Sequence, residues 1–206
     1  NFSADDASTN ISPWGILIGG EELHNNHHAY PTSAKLSSKW FEFDIGWLYI
    51  RTMEIFGLAT VKRVAPKVKL DLAKTACDAD TVQAVITHRY EVMAKYVKSL
   101  KQIMGEEIQH LRSQGVHFDV ATFRRWLHLG EAELKAPEQA ELKQALNSSK
   151  VLATIYAMRH ELATLWGRST LTQEQLVKQL DDWCKRAESS GIEALQQFSQ
   201  RLRCYA

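Results

Sequence analysis

The stretch "TVQAVITHRYEVMAKYVKSLKQIMGEEIQHLR", residues 81–112, repeats apolar side chains at steps of three and four residues. This period is typical of an amphipathic helix that buries one face in a core. We therefore expect residues 81–112 to be helical. The apolar positions are Val82, Val85, Ile86, Met93, Val97, Leu100 and Met104.

The sequence downstream repeats the pattern in shorter and longer segments. Thr172 and Gln175 predict a capping box for one of the helices, and Gly191 predicts a break before the last one. Together the segments predict that residues 81–206 form a soluble, all-α, antiparallel bundle of four or five helices. The further segments are 120–129, 139–166, the residues after Thr172, and 192–202.

Two segments upstream differ from this helical region. Residues 65–80 alternate in charge and lack an amphipathic stripe, which predicts a linker. Residues 37–63 are rich in aromatic side chains and predict a helix of about five turns. Ser37 or Ser38 is the expected N-cap of this helix, and Gly57 lies near its expected end.

The helix expected in residues 37–63 is apolar nearly all the way round, but its charged side chains make it a poor transmembrane span. Its aromatic rings and the basic residues that follow favour a position at a membrane interface, with the basic end in the cytoplasm. A core helix of a soluble domain is the alternative. Trp40 and Trp47 are interpreted as interface anchors or core residues in preference to substrate contacts.

The composition is that of an ordinary globular protein. Apolar residues make up 45%, charged residues 24%, and the net charge is +1, which excludes a strong field that would steer the whole molecule to nucleic acid. The three cysteines are far apart and lack a C-x-x-C pair, so they fit reduced thiols in a reducing compartment. Because the chain opens at Asn1 within a polar run, we expect it to belong to a longer protein.

Three of the eight histidines lie within "GGEELHNNHHAYP", residues 19–31. On one helical turn the spacing H-x-x-H-H brings His24 near both His27 and His28. The last two differ by about 100° around the helix axis, which favours a site that faces two metal ions. Imidazole suits iron, zinc, copper or nickel, so the residue types do not select the metal. A solvent-facing loop is the alternative interpretation.

Polar neighbours of the histidines are candidates for orienting the imidazole rings. Asn25 and Asn26 are placed for this role, and Glu21 is either such a partner or a solvated carboxylate. The other five histidines are scattered singly along the chain, and we interpret them as surface or interface residues.

The segment "GGEELHNNHHAYPTSAKLSSKWFEFDIGWLYIRTMEIFGLA", residues 19–59, resembles the third histidine box and the following helix of the membrane fatty acid desaturases. The likeness is greatest to the bacterial relatives of the acyl-CoA Δ9 desaturases, and it covers residues 1–64. The tail resembles, more weakly, the C-terminal extension of some gammaproteobacterial members. The family pattern Gly-Glu-x-x-His-Asn-x-His-His followed by an aromatic residue and Pro is met by Gly20, Glu21, His24, Asn25, His27, His28, Tyr30 and Pro31.

The resemblance implies a membrane enzyme with a di-iron centre, in which His24, His27 and His28 are iron ligands. Since the two earlier histidine boxes of the family are absent from this sequence, it implies that the remaining ligands lie outside the chain. We therefore expect the chain alone to be inactive. Residues 1–64 would be the C-terminal part of the desaturase domain, 65–80 the linker and 81–206 a helical extension.

The resemblance also implies a reaction and its partners. Such an enzyme uses O2 and electrons to introduce a cis double bond into a saturated fatty acyl substrate, either acyl-CoA or lipid-linked. Ferredoxin, rubredoxin or cytochrome b5, together with a reductase, supplies the electrons. The resemblance places the enzyme in the bacterial inner membrane with this portion on the cytoplasmic side, and it predicts no nucleic-acid partner.

Two alternatives stay open. A membrane di-iron hydroxylase or alkane monooxygenase shares such histidine boxes. Residues 81–206 are alternatively a non-catalytic helical interaction module that docks the electron donor or another partner. Nucleic-acid binding has weak support there, because residues 140–206 carry nine Lys or Arg and seven Asp or Glu without a basic stripe.

Overall fold

The computed structural model describes residues 2, 9–113, 115, 118–166 and 171–206. This part of the chain is mostly helical, which confirms the fold class at that level. It divides into two compact units, the N-terminal unit Asn1–Lys67 and the C-terminal unit Val68–Ala206.

Among its described residues, the N-terminal unit has two short helices and one pair of two-residue strands. The strands are parallel, with Trp14 opposite Phe43 and Gly15 opposite Asp44. A 3-10 turn at Glu21–Leu23 leads directly into the first helix. The elements in chain order are β1 (Trp14–Gly15), α1 (His24–Ala29), β2 (Phe43–Asp44) and α2 (Ile45–Ile55).

The helix expected from Ser37 or Ser38 begins only at Ile45, so the predicted N-cap was wrong. The reason is the Asp44 carboxylate, which caps α2 by accepting a hydrogen bond from the Trp47 N–H at 2.8 Å. Its other oxygen accepts from the N–H groups of Leu36 and Ser37, at 2.6 and 3.1 Å. A buried carboxylate that gathers these donors stabilises a turn where the sequence suggested helix.

Gly20 and Gly57 have positive φ angles and lie where the chain of this unit turns. Gly20 has a φ of 104°, a left-handed conformation that favours glycine. A Cβ at Gly20 would also lie 2.7 Å from the Asp44 carboxylate oxygen. Gly57, with a φ of 72°, follows the end of α2 as the sequence predicted.

The described part of the C-terminal unit is built from helices and one 3-10 turn at Glu131–Glu133. The core lies among these helices and includes Tyr96, Phe123, Trp126 and Trp183, all fully buried or nearly so. The helices are α3 (Ala79–Thr87), α4 (Arg89–Ser99), α5 (Lys101–Ser113), α6 (Val120–His128), α7 (Ala136–Ser148), α8 (Lys150–Thr164), α9 (Gln173–Glu188) and α10 (Glu193–Arg203).

The two long helical stretches expected from the sequence are interrupted. His88 and Leu100 separate α3, α4 and α5 within the first stretch. Ser149 divides the second, because its backbone is extended, at φ −135° and ψ 113°. Its hydroxyl accepts the Leu152 N–H at 3.1 Å and donates to the Glu107 carboxylate at 2.6 Å. This cap stabilises the start of α8 and so favours the break.

The capping box predicted for Thr172 and Gln175 is confirmed. The Gln175 side chain accepts the Thr172 N–H at 2.9 Å, and the Gln175 N–H donates to the Thr172 hydroxyl at 3.4 Å. The bundle of four or five antiparallel helices stays a prediction.

The two ends of the C-terminal unit pair with each other. Leu70 and Tyr205 form an antiparallel bridge. The Asp71 N–H donates to the Cys204 carbonyl at 2.8 Å, and the Ala206 N–H donates to the Lys69 carbonyl at 3.2 Å. Part of the segment expected to be a linker is therefore paired with the C-terminal residues of this unit.

Candidate metal centre

The histidine cluster lies on the short helix α1. The ring centroids of His24 and His28 are 4.3 Å apart, those of His27 and His28 are 5.8 Å apart, and those of His24 and His27 are 6.4 Å apart. His24 is exposed, and the other two are half-buried. The i, i+3 and i+4 spacing therefore gathers three imidazoles on one side of a single helical turn.

A buried polar network holds α1 in place. The Asn10 side-chain oxygen accepts the Asn25 N–H at 2.9 Å at the start of the helix. The Asn26 amide donates to the Glu42 carboxylate at 2.8 Å and to the Leu36 carbonyl at 3.0 Å. Because buried hydrogen bonds to a charged acceptor are strong, this network fixes the helix that carries the histidines.

The Glu42 carboxylate also organises the chain that follows. One oxygen accepts the Ser38 N–H at 2.6 Å and the Lys39 N–H at 2.9 Å. Glu42 and the capping residue Asp44 thus bind the same loop from two neighbouring positions. Sequence reasoning treated both residues as charged positions of a helix. No local sequence pattern distinguishes a carboxylate on a helix surface from one that binds the preceding loop.

Asn25 and Glu21, the residues proposed to orient the imidazoles, occupy different environments. Asn25 is buried, and its side chain exchanges two hydrogen bonds with the backbone of Phe2, at 2.7 and 3.2 Å. Glu21 is exposed. The buried carboxylate of this segment is the next residue, Glu22.

Glu22 is a buried carboxylate beside α1 that sequence reasoning missed. Its Oε1 accepts the N–H groups of Leu17 and Ile18, at 2.5 and 3.2 Å. Burial acts to raise its pKa, but the backbone N–H donors outweigh burial and hold the pKa below its ordinary value. Its Oε2 is buried and has no hydrogen-bond partner in the described part of the chain. Two adjacent glutamates offer no sequence signal for which one turns inward.

The three imidazoles suit iron in kind but are few in number. Nitrogen ligands fit iron among other first-row metals, and the half-exposed rings can be reached from solvent. Across the described ranges, no group of three or more His, Cys, Asp or Glu side chains is arranged to hold a metal ion. The three imidazoles therefore do not by themselves form a complete metal site in the described part of the chain.

Large apolar side chains are exposed around this site. Trp40 is 96% exposed and Leu17 is 90% exposed. On α2, Ile55 is 77% exposed, and none of the helix residues is buried. Within the described residues, no helix has both the length and the apolar character needed to cross a bilayer.

The other five histidines belong to the C-terminal unit. His88 is buried within the C-terminal unit, which the sequence did not predict. His160 is half-buried, and its ring lies 4.3 Å from that of Tyr156. His110 and His128 are exposed. His117 lies outside the described residues.

Comparison with known families assigns the larger part of the chain. The family DDE_Tnp_ISL3, described as "Transposase", matches residues 72–206. This match covers more than half of the chain, and the chain therefore belongs to this transposase family. No solved structure matches the chain.

Comparison with curated proteins shows a second relationship. The chain is 41% identical over 66 residues to the sn-1 stearoyl-lipid 9-desaturase of Anabaena variabilis, which covers 32% of this chain and 24% of that protein. It is 41% identical over 59 residues to Delta-9 acyl-lipid desaturase 1 of Arabidopsis thaliana, covering 29% and 19%. It is 43% identical over 58 residues to the sn-2 palmitoyl-lipid 9-desaturase of a Nostoc strain, covering 28% and 20%.

The chain thus spans about a quarter or less of the length of these relatives. Part of it is related to acyl-lipid Δ9 desaturases. The comparisons therefore support a desaturase-related segment and a transposase-family region within one chain.

Proposed function

We propose that the N-terminal unit supplies part of the iron site of a fatty acyl desaturase, with His24, His27 and His28 as ligands. The observation that carries this proposal is the gathering of three imidazoles, with ring centroids 4.3–6.4 Å apart, on one turn of α1. The identity to Δ9 desaturases over 58–66 residues supports the reaction class. The desaturase-like segment would be residues 1–64, since the transposase family matches only from residue 72.

The residues around α1 have distinct roles in this proposal. Asn10, Asn26 and Glu42 keep the helix in place through buried hydrogen bonds, so the imidazoles are held before metal binds. Bound iron would supply the O2 activation that removes two hydrogens from a saturated acyl chain. The remaining ligands would come from residues outside this chain, so the chain alone would be inactive.

The exposed apolar surface of the N-terminal unit supports a membrane location for this function. Its exposed aromatic and aliphatic side chains suit the boundary between headgroups and acyl chains. We place this surface at the cytoplasmic face of the bacterial inner membrane, where it would meet an acyl-CoA or lipid-linked substrate. Ferredoxin, rubredoxin or cytochrome b5, with a reductase, would be the electron donor.

Metal binding by the chain itself tests the ligand assignment. We expect Co2+, used as a spectroscopic probe for iron, to bind the chain with visible bands from nitrogen ligation. His27→Ala should weaken this binding at least tenfold, whereas the matched control His110→Ala, which changes an exposed histidine on α5, should leave it unchanged. Equal binding by the two variants would overturn the assignment.

A chimera tests the reaction. Residues 1–64 would replace the matching segment of the Anabaena desaturase, and cellular lipids would be analysed by mass spectrometry. We expect acyl chains that have lost two hydrogens, and no such product after His27→Ala. Gain of one oxygen would instead favour a hydroxylase. An active His27→Ala chimera would contradict the proposal.

A second candidate function belongs to residues 72–206, because this region matches a transposase family. A transposase acts on DNA, whereas the balanced charge of the sequence favours a non-catalytic interaction module without a nucleic-acid partner. Electrophoretic mobility shift with duplex DNA at low and at physiological salt separates the two. Binding that persists at physiological salt would favour the DNA-related function.

Deletion of residues 81–206 provides a further test of the interaction module. In a complete desaturase that contains this chain, we expect the deletion to spare iron binding and to weaken only docking of a partner. Loss of iron on deletion would show that the region is part of the catalytic fold.

A further inference from the structure

Two cysteines that are far apart in sequence meet in the C-terminal unit. Cys77 precedes α3 and is half-buried, whereas Cys184 lies on α9 and is fully buried. Their sulfur atoms are 4.0 Å apart although 107 positions separate them in the chain. The third cysteine, Cys204, hydrogen-bonds to the carbonyl oxygens of Lys74 and Gln200 instead.

Charged groups next to the pair favour one cysteine as the reactive one. The Arg203 guanidinium lies 3.8 Å from the Cys77 sulfur. Asp181 and Glu188 hold Arg203 in place at 2.5 and 3.0 Å, which fixes the cation beside the thiol. The negative charges of Asp181 and Asp78 act to raise the pKa of Cys77, so they partly offset the effect of Arg203.

The ionisation of the two thiols differs in direction. The hydrogen bond with Cys184 and the charge of Arg203 lower the pKa of Cys77, against the effect of burial. The hydrogen bond with Cys77 and burial raise the pKa of Cys184. Because Cys77 is half-buried beside Arg203 whereas Cys184 is fully buried, Cys77 is the thiol that an oxidant meets first and Cys184 is its inner partner.

We propose that Cys77 and Cys184 are a redox modification site that closes to an intramolecular disulfide when the protein meets glutathione disulfide. The sulfur atoms must approach from 4.0 Å to about 2 Å. Cys77 precedes the first residue of α3 and has no helical hydrogen bonds of its own, so this segment can supply the movement. The inference is independent of the metal centre.

The reaction balances with glutathione disulfide as the oxidant. The Cys77 thiolate attacks one sulfur of glutathione disulfide, its S–S bond breaks, and one glutathione thiolate leaves. Cys184 then attacks the Cys77 sulfur of the mixed disulfide, the bond to glutathione breaks, and the departing glutathione thiolate takes the Cys184 proton. The two protein thiols lose two electrons, and one glutathione disulfide gains them.

Mass spectrometry of the oxidised chain tests the pairing. The protein would be equilibrated in glutathione buffers of rising oxidised fraction, free thiols blocked with N-ethylmaleimide, and peptides analysed after digestion. We expect one linked peptide pair containing Cys77 and Cys184, short of two hydrogen atoms, while Cys204 carries the blocking group. A link that involves Cys204, or no intramolecular link, would overturn the proposal.

Variants separate the two roles. Cys184→Ala should trap glutathione on Cys77, and Cys77→Ala should abolish the link, whereas Cys204→Ala should form it as the unchanged protein does. In the unchanged protein, iodoacetamide should modify the half-buried Cys77 and leave the buried Cys184 unmodified, a readout that needs no variant. Equal modification of Cys77 and Cys184 would contradict the roles given to the two thiols.

Thermal unfolding measures the consequence. A disulfide that closes a loop of this length restricts the unfolded chain, and we expect the melting temperature of the C-terminal unit to rise by roughly 10 °C. Reduction with dithiothreitol should reverse the shift. A disulfide that forms without any rise in melting temperature would contradict a stabilising link.

Discussion

The two units of this protein are stabilised in opposite ways. In the N-terminal unit, Leu23 and Ala29 are the buried apolar residues of the described ranges, and the buried polar ones are Glu22, Asn25, Asn26, Glu42 and Asp44. In the C-terminal unit the buried residues are mostly apolar and form one continuous core. Of the exposed large apolar side chains in the described ranges, fifteen lie in the first unit and three in the second.

This difference indicates whether each unit needs another surface to cover its apolar side chains. The C-terminal unit buries its apolar side chains by itself, as expected for a domain that folds alone. The N-terminal unit uses its polar side chains to satisfy its own backbone and leaves its apolar side chains exposed. Such an exposed surface is typical of contact with a membrane or another protein, which agrees with the proposal made for this unit.

Replacement of one tryptophan in each unit should give the largest difference in stability between the two units. Trp183 is 2% exposed, and its Nε1 donates to the Met158 carbonyl at 2.8 Å. We expect Trp183→Ala to lower the free energy of unfolding by about 3–5 kcal/mol. Trp40→Ala, at a residue that is 96% exposed, should change it by less than about 0.5 kcal/mol. Urea denaturation followed by circular dichroism would measure both, and similar effects would contradict the difference.

Replacement of a capping aspartate in each unit should lower the free energy of unfolding by less, and by different amounts in the two units. Asp44 accepts three backbone N–H groups, whereas Asp119, the N-cap of α6, accepts the Thr122 N–H at 2.7 Å. We expect Asp44→Ala to cost about 2 kcal/mol and Asp119→Ala about 1 kcal/mol. Amide hydrogen exchange at Leu36, Ser37 and Trp47 would report the first change and exchange at Thr122 the second. If the Leu36 amide still exchanged slowly in Asp44→Ala, the Asp44 carboxylate would not be the group that protects it.

Acidification should change the stability of the C-terminal unit by the smallest amount of the three tests. Burial, with help from the Arg159 charge, lowers the pKa of His160 to about 4. Its ring nitrogen Nε2 is buried without a hydrogen-bond partner in the described residues. The unfolded chain binds this proton near the ordinary histidine pKa, so stability is lost as pH falls from about 6.5 to about 4.

A variant isolates this effect. His160→Phe keeps a ring beside Tyr156 and should reduce the loss of stability between pH 7 and pH 4 by about 1 kcal/mol, discounted because the ring is half-exposed. His110→Phe, on the surface of α5, should leave the loss unchanged. If both variants lose stability with acid as the unchanged protein does, His160 is not the group responsible.

The helices of the C-terminal unit could be predicted because their apolar positions recur with the helical period. The break at Ser149 could not, since it depends on a hydrogen bond to Glu107, which is distant in sequence. The meeting of Cys77 and Cys184 was equally inaccessible, because it arises only when α9 packs near the residues before α3. Periodicity predicts local structure, whereas contacts distant in sequence depend on the packed fold.

The candidate site shows the same limit. The spacing of His24, His27 and His28 predicted rings on one side of a helical turn, and the structure places them there. The start of α2 was misplaced because Glu42 and Asp44 look like polar helix positions but accept hydrogen bonds from the loop before them. The assignment of the three histidines as iron ligands stays a proposal.

The pairing of Lys69 and Leu70 with the last residues of the chain has a consequence for the order of folding. These contacts close a loop that contains nearly the whole C-terminal unit. Individual helices can form as soon as their own residues leave the ribosome, but this closure must wait until residues 204–206 have been synthesised. Until then Tyr205, which is 2% exposed in the folded protein, cannot cover its side of the core, so the unit completes its folding only after residues 204–206 have been synthesised.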